Sequence, residues 1–296
     1  MALAAPLPTV VERRRSRLWG LPVDWHLLSL DAPTVAVLWA WSLARATEVH
    51  PSGSALAVLG IGTWLIYVAD RLLDASSPTH TALRERHFFH ARHRRAFLTT
   101  SAAAALLLLA LISVMPPAAR SEDTLVFGVS MLYFAIVHVP AIHVECWFPR
   151  ELAVGAVFAC ATTIPAWSAP DSPHAELILP VLLFAGLCSL NCIAIETWER
   201  SAQRARAHTV PSIAMGLALA SAVLVLIPDL RTLVTFRLSL STFVSATLLF
   251  ALDRLHHRVT QPDLEPANVA RFLLILRVAA DAALLTPLLF VLPWHP

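Results

Sequence analysis

Long apolar blocks alternate with short polar breaks along the chain, and each block is about 20 residues, the length an α-helix needs to cross a bilayer. The blocks predict nine spans, at approximately 31–49, 53–73, 96–115, 124–145, 150–168, 175–197, 209–228, 230–252 and 267–293. The third, an Ala-Leu run, is the plainest. The first opens on Asp31 and Pro33 and closes on Glu48, while the seventh and eighth are parted only by a Pro-Asp-Leu-Arg turn. Residues 1–30 read as a tail in which Trp19, Trp25, His26 and Leu27 rest at the interface, where aromatic residues gather. The breaks at about 74–95 and 198–208 read as loops capping the bundle. Within the first of them, Ala82–Phe97 has helical spacing and predicts a short interfacial helix. No long linker marks a second domain, so 31–296 is expected to form one transmembrane unit. The expected fold class is all-α, a polytopic bundle of nine helices.

Composition agrees. The 296 residues are 57% hydrophobic and 14% charged, against about 45–50% apolar and about 25% charged in a soluble domain. All 22 basic residues are arginine, which excludes Schiff-base chemistry on a lysine. Their placement orients the bundle. The tail, the breaks after even-numbered spans and the span ends beside them, which carry Arg71, Arg150 and Arg271, hold 17 of them; the breaks after odd-numbered spans hold only Arg45, Arg120 and Arg231, and Arg237 and Arg277 lie deeper within spans. Positive charge stays on the cytoplasmic side, so the N-terminus is expected inside and the C-terminus outside. The net charge of +2 is slight and its pattern serves topology, so nucleic acid is not an expected partner. Cys146, Cys160, Cys188 and Cys192 fall in or beside apolar blocks and read as small buried hydrophobes, not a disulfide framework.

Two acidic clusters stand out against this background. Asp70 and Asp74 end the second span, four residues apart and so about 40° apart around a helix. Neighbouring carboxylates repel and are best tolerated around a cation, and hard divalent ions such as Mg²⁺ take such oxygens together with substrate phosphates. Glu196 and Glu199 end the sixth span, about 60° apart. Both even-numbered helices run toward the same membrane surface, and each is followed by arginines: Arg84, Arg86, Arg92, Arg94 and Arg95 after the first, Arg200, Arg204 and Arg206 after the second. Guanidinium forks suit phosphate oxygens. Helix ends that stop in charged residues at the headgroups are the bland alternative, but two matched pairs at membrane depth favour function.

This pattern resembles the UbiA-type intramembrane prenyltransferases, nine-helix enzymes with aspartate-rich motifs at the cytoplasmic ends of helices two and six. Asp70 and Asp74 match the two aspartates of the first motif, with Ile66 at its asparagine position; Asn191, Glu196 and Glu199 occupy the second. LDAPTVAV (30–37), PRELAVGAVFACATTIP (149–165) and RAHTVPSIAMG (206–216) are similar to further stretches of the family, and the likeness spans the whole chain. The resemblance implies an Mg²⁺-dependent transfer of a polyprenyl group from an isoprenoid diphosphate to a lipophilic or aromatic acceptor. Asp70, Asp74, Glu196 and Glu199 would be the metal and catalytic ligands. Asn191, Arg84, Arg86 and Arg204 would bind the donor, and Tyr133 and His138 of the fourth span would shield the allylic cation or orient the acceptor. Such an enzyme belongs in the inner, cytoplasmic membrane. A relative that binds a lipid or isoprenoid without turnover is the alternative.

Two further groups bear on chemistry. His87, His90 and His93, with His256 and His257, invite a metal-oxygenase reading, yet they lack repeated histidine boxes and read better as interface or phosphate contacts. Arg277 and Asp281, one turn apart in the last span, are expected to pair with each other inside the bundle.

Overall fold

The computed structural model describes residues 17–76, 85–115, 150–169, 172–199, 209–227, 233–259 and 266–290, with positions 117, 120, 121, 124, 127 and 128. They are helical, with no strand among them. In chain order the helices are α1 (Arg17–Leu27), α2 (Asp31–Ala46), α3 (Gly53–Ser76), α4 (Glu85–Arg92), α5 (Arg94–Ser113), α6 (Arg150–Trp167), α7 (His174–Glu199), α8 (Thr209–Leu226), α9 (Leu233–Val259), α10 (Pro266–Ala283) and α11 (Pro287–Phe290).

Among the described residues, six segments are long and apolar enough to cross a membrane: α3, α5, α7, α8, Thr235–Val259 of α9, and Asn268–Phe290 running from α10 through α11. A seventh is formed if α1 and α2, which meet at a 90° bend, make one broken span. The protein is therefore all-helical and multi-pass. The predicted fifth span is present as α6, but Arg150 and Glu151 at its start keep it outside the six. The predicted fourth span lies almost wholly outside the described residues. The short interfacial helix is present as α4, ended by a turn at His93 before α5 begins.

Helix α7 is the hub, packing against α6, α8, α9 and α10. Its Leu177, Phe184, Leu187, Leu190 and Ala194 are fully buried, and Phe184 stacks on Trp39 of α2 with ring centroids 4.0 Å apart. Trp39 also donates its indole N–H to the Leu284 carbonyl at 2.8 Å, so its one polar atom is satisfied deep in the core. Among the described residues, helix α5 packs mainly against α3 and α4. There Leu106, Leu107 and Leu109 stand exposed, as do Leu182, Met215 and Leu219 on α7 and α8. Apolar surface on this scale would be a liability in water and is the normal outer face of a bundle in lipid.

Residues 17–27 of the expected tail pack onto the bundle. From residue 17 the chain is helical, and His26 and Leu27 are each 1% exposed because α1 folds against α4 and α10. The elbow between α1 and α2 turns on Ser29, a non-glycine residue at φ 61°. A side chain in the left-handed region is held there only when its surroundings over-determine it. Here the Ser29 N–H donates to His26 O, the Leu30 N–H to Trp25 O, and Trp64 of α3 donates its indole N–H to Leu28 O at 3.0 Å.

Candidate functional site

The elbow builds the innermost polar cluster. Asp31 opens α2, where its carboxylate meets the positive end of the helix and its Oδ1 accepts the Ala32 N–H. His26 Nδ1 donates to Asp31 Oδ2 at 2.6 Å and lies 3.7 Å from Asp281 Oδ2 of α10. Arg71 of α3, only 2% exposed, completes the arrangement. Its Nη1 donates to the His26 carbonyl at 2.8 Å and to Ser29 Oγ at 2.7 Å, and its Nη2 lies 3.5 Å from Asp31 Oδ2. One guanidinium thus ties together the His26 carbonyl near the end of α1, the hydroxyl at the elbow and the carboxylate that opens α2.

From Ser29 the network continues outward. His90 Nδ1 faces the Arg86 carbonyl at 2.8 Å, and a carbonyl can only accept, so Nδ1 carries the hydrogen. Nε2 is then the acceptor for the Ser29 hydroxyl at 3.0 Å. His90 is fully buried and stacks on Phe97 at 4.0 Å. Burial pushes its pKa down to about 4 from an ordinary 6.5, with the charge of Arg71 adding to the shift and the bond to the Arg86 carbonyl opposing it. His90 is therefore neutral at pH 7. The unfolded chain takes up this proton first, so stability is full above about pH 6.5 and is lost as pH falls toward about 4. Thermal unfolding in detergent from pH 8 to pH 4 should show this loss, with a shallower decline for His90→Gln.

Helix α4 then carries the network to both acidic helix ends. His87 Nε2 lies 3.7 Å from Asp74 Oδ2 at the end of α3. Its neighbour Arg86 donates from Nη1 to Glu199 Oε1 at 3.3 Å at the end of α7. Glu199 Oε1 also accepts Arg277 Nη1 of α10 at 2.8 Å. Asp70 is 3.7 Å from Arg150 Nη2 at the start of α6. Glu196 sits one turn before Glu199, partly buried. Consecutive residues of one short helix thus hold one member of each predicted acidic pair. Asn191 is placed deeper, donating its Nδ2 to Asp281 Oδ1 at 3.0 Å. Of the remaining sequence candidates, Arg84, Arg204, Tyr133 and His138 lie outside the described residues.

One sequence expectation is corrected. Arg277 and Asp281 do not pair with each other; Arg277 bonds Glu199 and Asp281 accepts from Asn191. Both face α7, which offers each a better-placed partner than the next turn of its own helix. The histidines do not converge either. His87 faces Asp74, His90 faces Ser29, His93 faces the Phe89 carbonyl, and His257 faces Asp253. That dispersal removes the basis for a histidine-box oxygenase among the described residues.

Sequence reading missed the cluster of His26, Ser29, Asp31 and Arg71. Two signals were available: Asp31 at the head of an apolar span and Arg71 just inside the end of another, both expensive places for a charge. Beside the cluster, Asn191 and Asp281 line a cavity of ≈ 40 Å³ with Tyr67, Cys192, Phe158 and Val35. Fold and network together define an all-helical multi-pass membrane protein with a continuous buried ionic array between its interior and one end of the bundle. No family model matches the chain, and neither the curated proteins nor the solved structures contain a match.

Proposed function

We propose that this protein is an integral-membrane prenyltransferase of the UbiA type, a nine-helix bundle with its N-terminus in the cytoplasm. It would transfer a polyprenyl group from an isoprenoid diphosphate to a lipophilic or aromatic acceptor, with Mg²⁺. The supporting observation is the attachment of both acidic helix ends to α4, Asp74 through His87 and Glu199 through Arg86. The C-terminal ends of α3 and α7 thus share one cap, and this reading seats the diphosphate head beneath it on the cytoplasmic side.

The donor set suits the ion. Asp70, Asp74, Glu196 and Glu199 offer only hard carboxylate oxygens, the kind that Mg²⁺ takes beside phosphate. When bound, the ion supplies charge neutralisation for the departing diphosphate. Arg86 and Arg277, already aimed at one carboxylate oxygen, supply guanidinium donors in the same region. The apolar helices around the head exclude water from the allylic cation and admit an isoprenoid tail from lipid.

A second reading has its own support. Glu199 Oε1 is shared by two guanidiniums, a neutralised state that suits a chain which binds a lipid or isoprenoid without turnover. One experiment separates the readings. Purified protein is titrated with a thiol-linked farnesyl or geranylgeranyl diphosphate analogue, with Mg²⁺ or with chelator, beside Asp70→Asn/Asp74→Asn. Prenyl transfer predicts Mg²⁺-dependent binding that weakens at least about tenfold in the double variant, roughly the effect of losing one charged ligand interaction. Equal binding in all conditions sinks the proposal and favours passive lipid binding.

A further inference from the structure

We propose that His26, Asp31 and Asp281, with the amide oxygen of Asn191, form a site for one divalent transition-metal ion of the Zn²⁺ type, separate from the acidic helix ends. One atom from each of the first three side chains lies within 4.8 Å of the others. They come from α1, α2 and α10, so the tertiary fold assembles a nitrogen and two carboxylate oxygens, ligand types that Zn²⁺ takes.

A second, independent observation points the same way. Asn191 is 8% exposed, and its Oδ1 is a buried acceptor with no hydrogen-bond partner, although its Nδ2 is fixed on Asp281. An unsatisfied buried carbonyl calls for a donor or a cation. Asn191 and Asp281 also line a cavity of ≈ 40 Å³, room for a water or two beside the site. Mg²⁺ keeps several waters and prefers oxygen alone, so a ligand set that includes the His26 imidazole selects against it.

Charge favours occupancy. His26 Nδ1, which faces Asp31, ligates as neutral imidazole with its hydrogen on Nε2. With imidazole neutral, the two carboxylates outweigh Arg71 by one negative charge. Arg277 from α10 is occupied by Glu199, and Tyr67 from α3 lines the neighbouring cavity with Asp281.

The test uses untagged, chelator-treated, full-length protein in detergent, titrated with Zn²⁺ by calorimetry. The expected result is one Zn²⁺ per chain. His26→Gln and Asp281→Asn should each weaken binding at least about tenfold, while Asp70→Asn/Asp74→Asn leaves it unchanged. X-ray absorption of the Zn²⁺-loaded wild type should show one imidazole among oxygen ligands, a readout that needs no variant to fold. The proposal is overturned if wild type binds no Zn²⁺, if the absorption spectrum lacks imidazole, or if only the Asp70/Asp74 variant loses binding.

Discussion

Arg71→Met is expected to destabilise the folded protein by about 3–5 kcal/mol, the usual cost of removing one partner from a buried ion pair. Methionine keeps much of the side-chain length and its apolar contacts, so the loss would be the loss of the guanidinium. Three groups each lose a donor at once: the His26 carbonyl, the Ser29 hydroxyl and the Asp31 carboxylate. None can turn to water, since Ser29 is fully buried, His26 is 1% and Asp31 3% exposed. Arg71→Lys should recover only part of the loss, because an ammonium restores the charge but not the fork that spans the elbow. Unfolding by SDS titration from mild detergent measures both. Adding Asp31→Leu to Arg71→Met should return some stability, since the second change removes the uncompensated charge. A loss below about 1 kcal/mol for Arg71→Met would mean that the elbow is held by packing alone.

Gly155→Ala should cost about 3 kcal/mol, at the upper end of what overpacking a close contact usually does. A Cβ at this position of α6 would collide with Ser189 Oγ, and it would stand 2.7 Å from Ala185 O and 2.8 Å from Ser189 N of α7. Two of those three atoms are backbone and cannot rotate away, so the helices must separate. Small residues at a crossing are how membrane helices approach closely enough to gain dispersion contact. Ala159, one turn further along α6 and 1% exposed, continues the same face. The contrast is Gly216→Ala in α8, where an added Cβ meets nothing within 4 Å. There the helix gains propensity without a clash and should be stabilised by about 0.5–1 kcal/mol. Comparing the two variants by thermal unfolding isolates the contact from the general effect of glycine in a helix.

The acidic ends at Asp70, Asp74, Glu196 and Glu199, and the short helix over them, were legible because each depends on spacing within one segment. The same is true of the long spans, whose lengths follow from the bilayer. The expectation for Arg277 and Asp281 failed for the opposite reason. Spacing put them one turn apart, but a buried charge goes to the strongest partner its helix packing offers, and α7 supplied Glu199 and Asn191. His26 shows the same limit more sharply: nothing local distinguishes it from an interfacial histidine, and its place is set by a contact with Asp281 of α10, far away in the chain.

By itself, the sequence determined an all-helical, multi-pass membrane protein with acids and arginines gathered at helix ends. Those features arise from hydrophobic length and from the cost of charge in hydrocarbon, both properties of single segments. The tertiary structure alone decided which charges meet: Arg71 with the α1–α2 elbow, Arg86 and Arg277 with Glu199, and His26 between two carboxylates. In a low-dielectric interior an ion pair depends on a few ångströms of helix placement, and that placement comes from packing of whole helices, such as Gly155 against α7, that no local pattern records.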